Sequence, residues 1–264
     1  MKYKFGFIGV GNMGGALARA AAKSGETLAA ADLSKEKADL LAAEIGCTAV
    51  TDTEAAKESK YVFMGIKPQY MADAISEIKE TLRARNDRFI LVTMAAGTAI
   101  SKIKEYVGFD LPVIRIMPNM PAGIGKGVVL CSPDENVTED EMNEFKELMS
   151  GAGLIDVVPE SLIDVGCAVS GCGPAYVYMF IEALADGAVL CGLPRDKALK
   201  YAAWTVAGSA ETYINSEKHP GELKDGVCSP GGTTIEGVAA LENGAFRAAC
   251  INAVRAGFDK SKKL

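Results

Sequence analysis

The sequence predicts an α/β protein, with a doubly wound sheet flanked by helices over residues 1–160 and an all-α region over 161–264. Three observations lead there. Short β-branched or apolar runs alternate with helix-period stretches through the first part. A Gly-x-Gly-x-x-Gly stands between the first of those runs and the first helical stretch. After Pro159 no window alternates as a strand would. The length of 264 residues exceeds the usual size of one domain and suits two.

Taken in order, the strand candidates are Lys4–Gly9, Thr27–Asp32, Tyr61–Ile66, Arg88–Met94, Val113–Met117, Gly127–Cys131 and Leu154–Val158. Helical patterns cover Met13–Lys23, Lys35–Ile45, Met71–Arg83 and Thr138–Ser150. Alternation of this kind builds a sheet with right-handed crossovers. Beyond Ser161 the helices are Ala175–Leu190, opened by Pro174, then Arg195–Ser216, Thr234–Asn243 and Ala245–Lys260. Tyr176, Tyr178, Met179, Phe180 and Trp204 exceed what a small bundle needs. They read either as core or as an interface with a second copy.

Composition excludes several classes. A net charge of −6 offers no basic footprint for nucleic acid, and the short tail Lys260–Leu264 reads as a solvated helix end. The longest uncharged stretch, Val165–Ile181, is broken by Gly166, Gly171, Gly173 and Pro174, so no membrane span is expected. The amino terminus runs straight into an apolar strand rather than a signal-peptide pattern. Seven scattered cysteines without a CxxC, and His219 as the only histidine, argue against a zinc site or a disulfide framework. Reduced thiols point to the cytoplasm.

Gly9-Val10-Gly11-Asn12-Met13-Gly14 follows a strand and opens a helix, which gives each glycine a physical task. The first permits the turn, the second admits a pyrophosphate, and the third lets helix and strand pack closely. The helix N-terminus then faces the diphosphate with free N–H groups. This is the start of a Rossmann-like domain. Asp32, at the end of the second strand, suits a ribose 2′-hydroxyl and hence NAD. Ser34, Lys35 and Lys37 follow at once and suit a 2′-phosphate instead, and the two readings balance. Gly65-Ile66-Lys67-Pro68 and Met94-Ala95-Ala96-Gly97 stand at the carboxyl ends of strands, where a nicotinamide half would lie. Lys67 is either an acid–base group or a structural residue of a proline turn.

In the second part, Ser229-Pro230-Gly231-Gly232-Thr233-Thr234 makes a tight turn and opens a helix. Consecutive N–H groups there form an anion nest, and without an arginine fork its natural guest is a small carboxylate. The alternative is an N-capped helix with a Gly-Gly hinge. Ser170-Gly171-Cys172-Gly173-Pro174-Ala175-Tyr176 is a second glycine-rich run, which suggests close approach of backbone to the cofactor or to another helix.

With GVGNMG at 9–14, IKP at 66–68, MAAG at 94–97, RIMPNMP at 115–121, SGCGPAY at 170–176 and HPGELKDGVCSPGGTTIEGVAALE at 219–242, the chain resembles pyrroline-5-carboxylate reductases over nearly its whole length. The resemblance implies reduction of 1-pyrroline-5-carboxylate to L-proline, with NADP(H) favoured and NAD(H) as the alternative. It implies a helical domain that interlocks with a second subunit, in some members as part of a decamer. Carried over by position, Ile8, Gly9, Val10, Gly11, Asn12 and Met13 line the diphosphate, and Ser34 with Lys35 the adenosine ribose. Lys67, Pro68, Ala96 and Gly97 flank the nicotinamide ribose, with Gly65, Ile66 and Ala95 beside them. Ser229, Gly231, Gly232 and Thr233 hold the substrate carboxylate, Thr234 orients or protonates the ring nitrogen, and Glu217 reaches the site. The family usually has serine where this chain has Cys172. Two other functions compete: a hydroxyacid dehydrogenase using Lys67, and a non-catalytic NAD(P)-sensing protein.

Overall fold

A computed structural model describes residues 1–262; Lys263 and Leu264 of the basic tail lie outside the described residues. The first part runs β1 (Tyr3–Ile8), α1 (Asn12–Ala22), β2 (Leu28–Ala31), α2 (Lys35–Ile45), β3 (Thr48–Ala49), α3 (Asp52–Glu58), β4 (Ser59–Met64), α4 (Met71–Arg83), β5 (Ile90–Thr93), α5 (Ile100–Val107), β6 (Val113–Pro118), β7 (Gly127–Pro133), α6 (Glu139–Met149), β8 (Gly153–Val157) and α7 (Glu160–Ser170). The strands form one sheet in the order β3-β2-β1-β4-β5-β6-β7-β8. The chain moves outward from β1 to β3 and then returns to β4 on the other side of β1. The carboxyl ends of β1 and β4 are therefore the switch point of a doubly wound sheet.

The strands read as nearly continuous apolar runs because both faces of the sheet are covered. On one face Phe5, Phe7, Tyr61, Phe63, Ile90, Val92, Ile114 and Ile116 pack on Leu17 of α1 and Phe145 of α6. On the other, Ile8, Val62, Met64, Leu91 and Val113 pack on Met71, Ile75 and Ile78 of α4 and Ile103 of α5. Neighbouring residues of β4 thus serve opposite cores, as the two-residue period requires.

The sheet is not parallel throughout. β7 pairs antiparallel with β6, and β8 runs parallel to β7. The link 119–126 is too short for a parallel crossover, which takes about a dozen residues, so β7 turns back beside β6. By contrast α6 provides a full crossover from β7 to β8.

Two compact units emerge among the described residues, Met1–Cys172 together with 257–262, and Gly173–Ala256. Strands end near 160 as the sequence suggests, but α7 stays with the sheet. The reason is its packing. Ile163 is fully buried, and a Cβ on Gly166 would lie 2.4 Å from Leu130 Cδ1 on β7.

The second unit holds α8 (Gly173–Leu190), α9 (Arg195–Ile214), α10 (Pro220–Val227), α11 (Thr233–Asn243) and most of α12 (Phe246–Ser261). Its buried cluster is small, built on Ala185, Ala198 and Ala202. Of the surplus large side chains, Tyr176 and Phe180 face inward: the Tyr176 hydroxyl donates to the Ala253 carbonyl, and Phe180 packs on Phe246. Tyr178, Met179 and Trp204 lie open, Trp204 at 74%. The helical run Glu160–Leu190 is apolar and long enough to cross a membrane by length and composition, though a turn at 171–172 divides it.

Candidate active site

At the end of β1 the chain must turn at once into α1. Gly9 does so with φ of +88°, a conformation strained for any side chain, and a Cβ there would lie 2.6 Å from the Gly65 carbonyl oxygen. Cβ atoms at Gly14 and Gly65 would lie 2.0 and 2.1 Å from the Gly9 carbonyl oxygen. Packing demands those three glycines. Gly11 is different. Its φ of −65° and ψ of −161° suit any residue, and a Cβ there would meet nothing within 4 Å. The space it leaves open borders the first turn of α1, which has neither a side-chain cap nor an acidic residue. Unpaired N–H groups and the positive end of the helix dipole suit a diphosphate there, so the residues present fit a dinucleotide.

A cleft of about 470 Å³ lies on this end of the sheet. Gly9, Gly11, Gly65, Ile66 and Lys67 line it, with Leu33, Lys37 and Tyr70. The other predicted cofactor residues do not line it, but the sheet order places them at the carboxyl ends of the same strands or next to them. Ile8 and Val10 are buried at the end of β1, and Asn12 and Met13 form the first turn of α1. Pro68 opens a 3-10 turn after β4, and Ala95, Ala96 and Gly97 follow β5, the next strand along. Gly97 has φ of +70°, which only glycine adopts without strain.

Asp32 lines the cleft as well, and it also has a structural task. Its two carboxylate oxygens accept backbone N–H groups, from Val10 at 2.9 Å and Ser34 at 3.0 Å, and so tie the β1–α1 turn to the start of α2. Ser34 is the N-cap of α2, yet its side chain makes no capping hydrogen bond. Lys35 pairs with Asp39 at 3.1 Å on the helix surface, whereas Lys37 lines the cleft. Asp52, Asp73 and Glu77 also line it. Burial, reinforced by Glu77 and Asp32, pushes the Asp52 carboxyl above its ordinary range. Lys37 is thus the cation that offsets this acidic margin on the α2 side. Lys37→Ala is expected to raise KM for NADPH about fivefold, about 1 kcal/mol for a solvent-exposed ion pair, and to leave KM for NADH nearly unchanged. Lys35→Ala, whose ammonium is shared with Asp39, should raise KM for NADPH by less than Lys37→Ala, and initial-rate kinetics with both cofactors checks this.

In the helical unit, the Gly232 N–H donates to the Ser229 carbonyl at 3.0 Å and Gly231 takes φ of +65°. A Cβ on Gly232 would lie 2.3 Å from Ser229 Oγ, so a side chain there would require the Ser229 hydroxyl to turn away. Thr233 begins α11, whose N-cap Gly232 has no side chain to offer. Ser229, Thr233 and Thr234 are exposed, and among the described residues their hydroxyls make no hydrogen bond. The nest and its hydroxyls are therefore uncommitted, with Glu236 the acidic residue of that first turn. Glu217 is exposed on the link between α9 and α10. His219 caps α10, its Nδ1 accepting the Gly221 N–H at 3.1 Å, which gives the lone histidine a structural task.

Two residues of the RIMPNMP segment carry tasks that the sequence did not disclose. Arg115, 3% exposed, binds Glu160 at 3.2 Å and Asp164 at 2.7 Å. Asn119 donates to the Ser170 carbonyl at 2.8 Å and accepts the Val128 N–H at 2.9 Å. Both fasten α7 to the sheet. Their signal in the sequence is polar residues inside an apolar strand and its turn, where burial demands partners.

A doubly wound sheet with a glycine-lined cleft at its switch point defines a dinucleotide-dependent oxidoreductase of the Rossmann type. Residues 4–97 match the family model for NADP oxidoreductase, coenzyme F420-dependent, and residues 160–264 match pyrroline-5-carboxylate reductase dimerisation. The chain is 40% identical to pyrroline-5-carboxylate reductase of Escherichia coli (100% of this chain, 99% of the relative) and 40% identical to that of Glycine max (99% and 96%). Among solved structures, pyrroline carboxylate reductase of Plasmodium falciparum with NADP bound superposes with a TM-score of 0.87 at 32% identity, covering 99% of both chains. That of Coxiella burnetii gives 0.91 at 27% identity, over 100% and 98%. The chain belongs to the pyrroline-5-carboxylate reductase family.

Proposed function

We propose that this chain reduces 1-pyrroline-5-carboxylate to L-proline, the last step of proline biosynthesis, with NADPH favoured over NADH. The observation that carries this reading is a likeness to named reductases running through the dinucleotide and helical parts alike. The reaction adds a hydride to the C=N carbon and a proton to its nitrogen. NADPH, when bound, supplies the hydride. The imine takes its proton from solvent, so the site needs orientation and charge more than a histidine base.

In this reading Ile8–Met13 bind the diphosphate, and Ser34 with Lys35 and Lys37 the phosphorylated ribose. Lys67, Pro68, Ala96 and Gly97 hold the nicotinamide ribose, with Gly65, Ile66 and Ala95 beneath. Ser229, Gly231, Gly232 and Thr233 bind the substrate carboxylate, Thr234 orients the ring nitrogen, and Glu217 assists. Lys37 on the cleft wall, a cation placed for a 2′-phosphate, and the likeness to a reductase solved with NADP bound support NADPH. Asp32, with acceptor capacity left and also on the cleft wall, keeps NADH as the alternative. Residues 1–160 then serve the cofactor, and 161–264 serve substrate binding and dimerisation.

A second copy of the chain, rather than lipid or nucleic acid, covers the open apolar side chains of the helical unit. Leu190, Ile214 and Trp204, at 89%, 77% and 74%, support a homodimer, the unit from which a decamer would assemble in the cytoplasm. The test of function follows NADPH and NADH absorbance separately with 1-pyrroline-5-carboxylate. Imine-dependent loss, faster with NADPH, is expected. No loss with either cofactor overturns the assignment. Activity on hydroxy acids that vanishes in Lys67→Ala would put a dehydrogenase in its place.

A further inference from the structure

The segment after β5 has an unusual start to its helix. Ala99, the N-cap of α5, has no side chain able to cap, and alanine is a poor residue for that position. The cap comes instead from α7. Glu160 Oε1 accepts the Ile100 N–H at 2.7 Å, and the same oxygen accepts from Arg115 NH1 at 3.2 Å. Arg115, nearly buried, also donates to Asp164 Oδ1 at 2.7 Å, so its guanidinium is held between two carboxylates of α7. A second tie lies three residues before Ala99. Ala96 packs on the cluster of Met117, Leu130 and Ile163, the last from α7. The segment Ala95–Gly97 is therefore tied to the same helix at its middle, through Ala96, and three residues beyond its end, through Ile100.

We infer that Glu160 is a positioning residue for hydride transfer, setting the Ala95–Gly97 segment against the nicotinamide ribose through its hydrogen bond to Ile100. The inference rests on the proposed placement of that segment at the cofactor. The diphosphate and adenosine are gripped elsewhere, by the Gly9–Gly14 turn and α2. Loss of the Glu160 bond should therefore disturb the reacting end of the cofactor more than its affinity. Misplacement by about 1 Å can cost roughly a hundredfold in rate.

Asp164 provides an internal control. It shares Arg115 but does not touch Ile100 among its hydrogen bonds, so its removal strains the same ion pair and leaves the α5 cap in place. The experiment compares Glu160→Asp, Glu160→Gln, Glu160→Ala and Asp164→Ala for Tm, for kcat and for KM of NADPH. Glu160→Asp keeps the charge beside Arg115 but shortens the reach to Ile100. It is expected to lower kcat roughly ten- to hundredfold with KM for NADPH within about threefold of wild type. Glu160→Gln keeps an acceptor at full length and should restore most of kcat. Asp164→Ala should lose Tm yet keep kcat within about threefold. Equal kcat losses in Glu160→Asp and Asp164→Ala, or kcat following Tm across the series, overturn the inference. If Glu160→Ala does not fold, the Asp and Gln variants decide alone. A wild-type protein inactive on the imine would instead sink the proposed function, which keeps the two failures distinct.

Discussion

Gly11→Val is expected to leave the protein folded and to raise KM for NADPH roughly a hundredfold. The prediction comes from a contrast among glycines that look equivalent in the motif. At Gly9, Gly14 and Gly65 an added Cβ would lie 2.6 Å or less from backbone oxygen, and Gly9 also has a positive φ. Substitution there must move the end of β1 away from α1 or β4, so Gly14→Ala should lower Tm and affect cofactor binding as a consequence. At Gly11 neither conformation nor packing asks for glycine. Alanine there should leave Tm nearly unchanged, since what it gains by restricting the unfolded chain is offset by its being a poorer N-cap than glycine for α1. In the proposed reading, what a side chain at Gly11 would meet is the diphosphate. Losing one or two hydrogen bonds to a charged group, at about 1.5–3 kcal/mol each, amounts to one to four decades of affinity. The check is a thermal melt beside NADPH titration by fluorescence for Gly11→Ala, Gly11→Val and Gly14→Ala. Gly11→Val binding NADPH as tightly as wild type would show that the open face is not the diphosphate site.

The same contrast explains what was legible in the sequence. The Gly motif could be read because each glycine has a local reason visible within a strand–turn–helix. Both cores follow from alternation within β1, β4, β5 and β6, whose side chains are apolar on both faces. What could not be read depends on partners far along the chain. Asp32 is engaged by Val10 at its own sheet edge, which no local pattern announces. β3 has two residues and α3 seven, too short for a periodic signal. α5 carries no start signal of its own because Glu160 supplies its cap from sixty positions away. The reversal at β7 was by contrast legible in the length of its link, which is too short for a parallel crossover, although the strand pattern itself says nothing of direction. In the helical unit the surplus of aromatic side chains was visible, but its division was not. Tyr176 and Phe180 found partners within the unit and Trp204 did not, and only packing distinguishes them.

The substrate loop can be tested at Thr234 with little risk to folding. Thr234 lies in the first turn of α11, exposed, and its hydroxyl makes no hydrogen bond among the described residues. Alanine at this place loses no packing and is the better helix former, so Thr234→Ala should keep the helical circular dichroism and Tm of wild type. Thr234→Ser, which retains the hydroxyl, should keep most of the activity. If the hydroxyl donates a hydrogen bond that orients the ring nitrogen, Thr234→Ala loses a contact that strengthens as hydride addition to the carbon puts electron density on that nitrogen, before its proton arrives from solvent. Such contacts are worth roughly a hundredfold or more in kcat. In the proposed reading the carboxylate is held by other groups, the N–H cluster and the hydroxyls of Ser229 and Thr233. KM for the imine should therefore change less than kcat in Thr234→Ala, and more than kcat in Ser229→Ala. Stopped-flow single turnovers with saturating NADPH separate these effects from product release. Turnover of Thr234→Ala near the wild-type rate would remove the residue from the chemistry and leave the nest as a carboxylate site only.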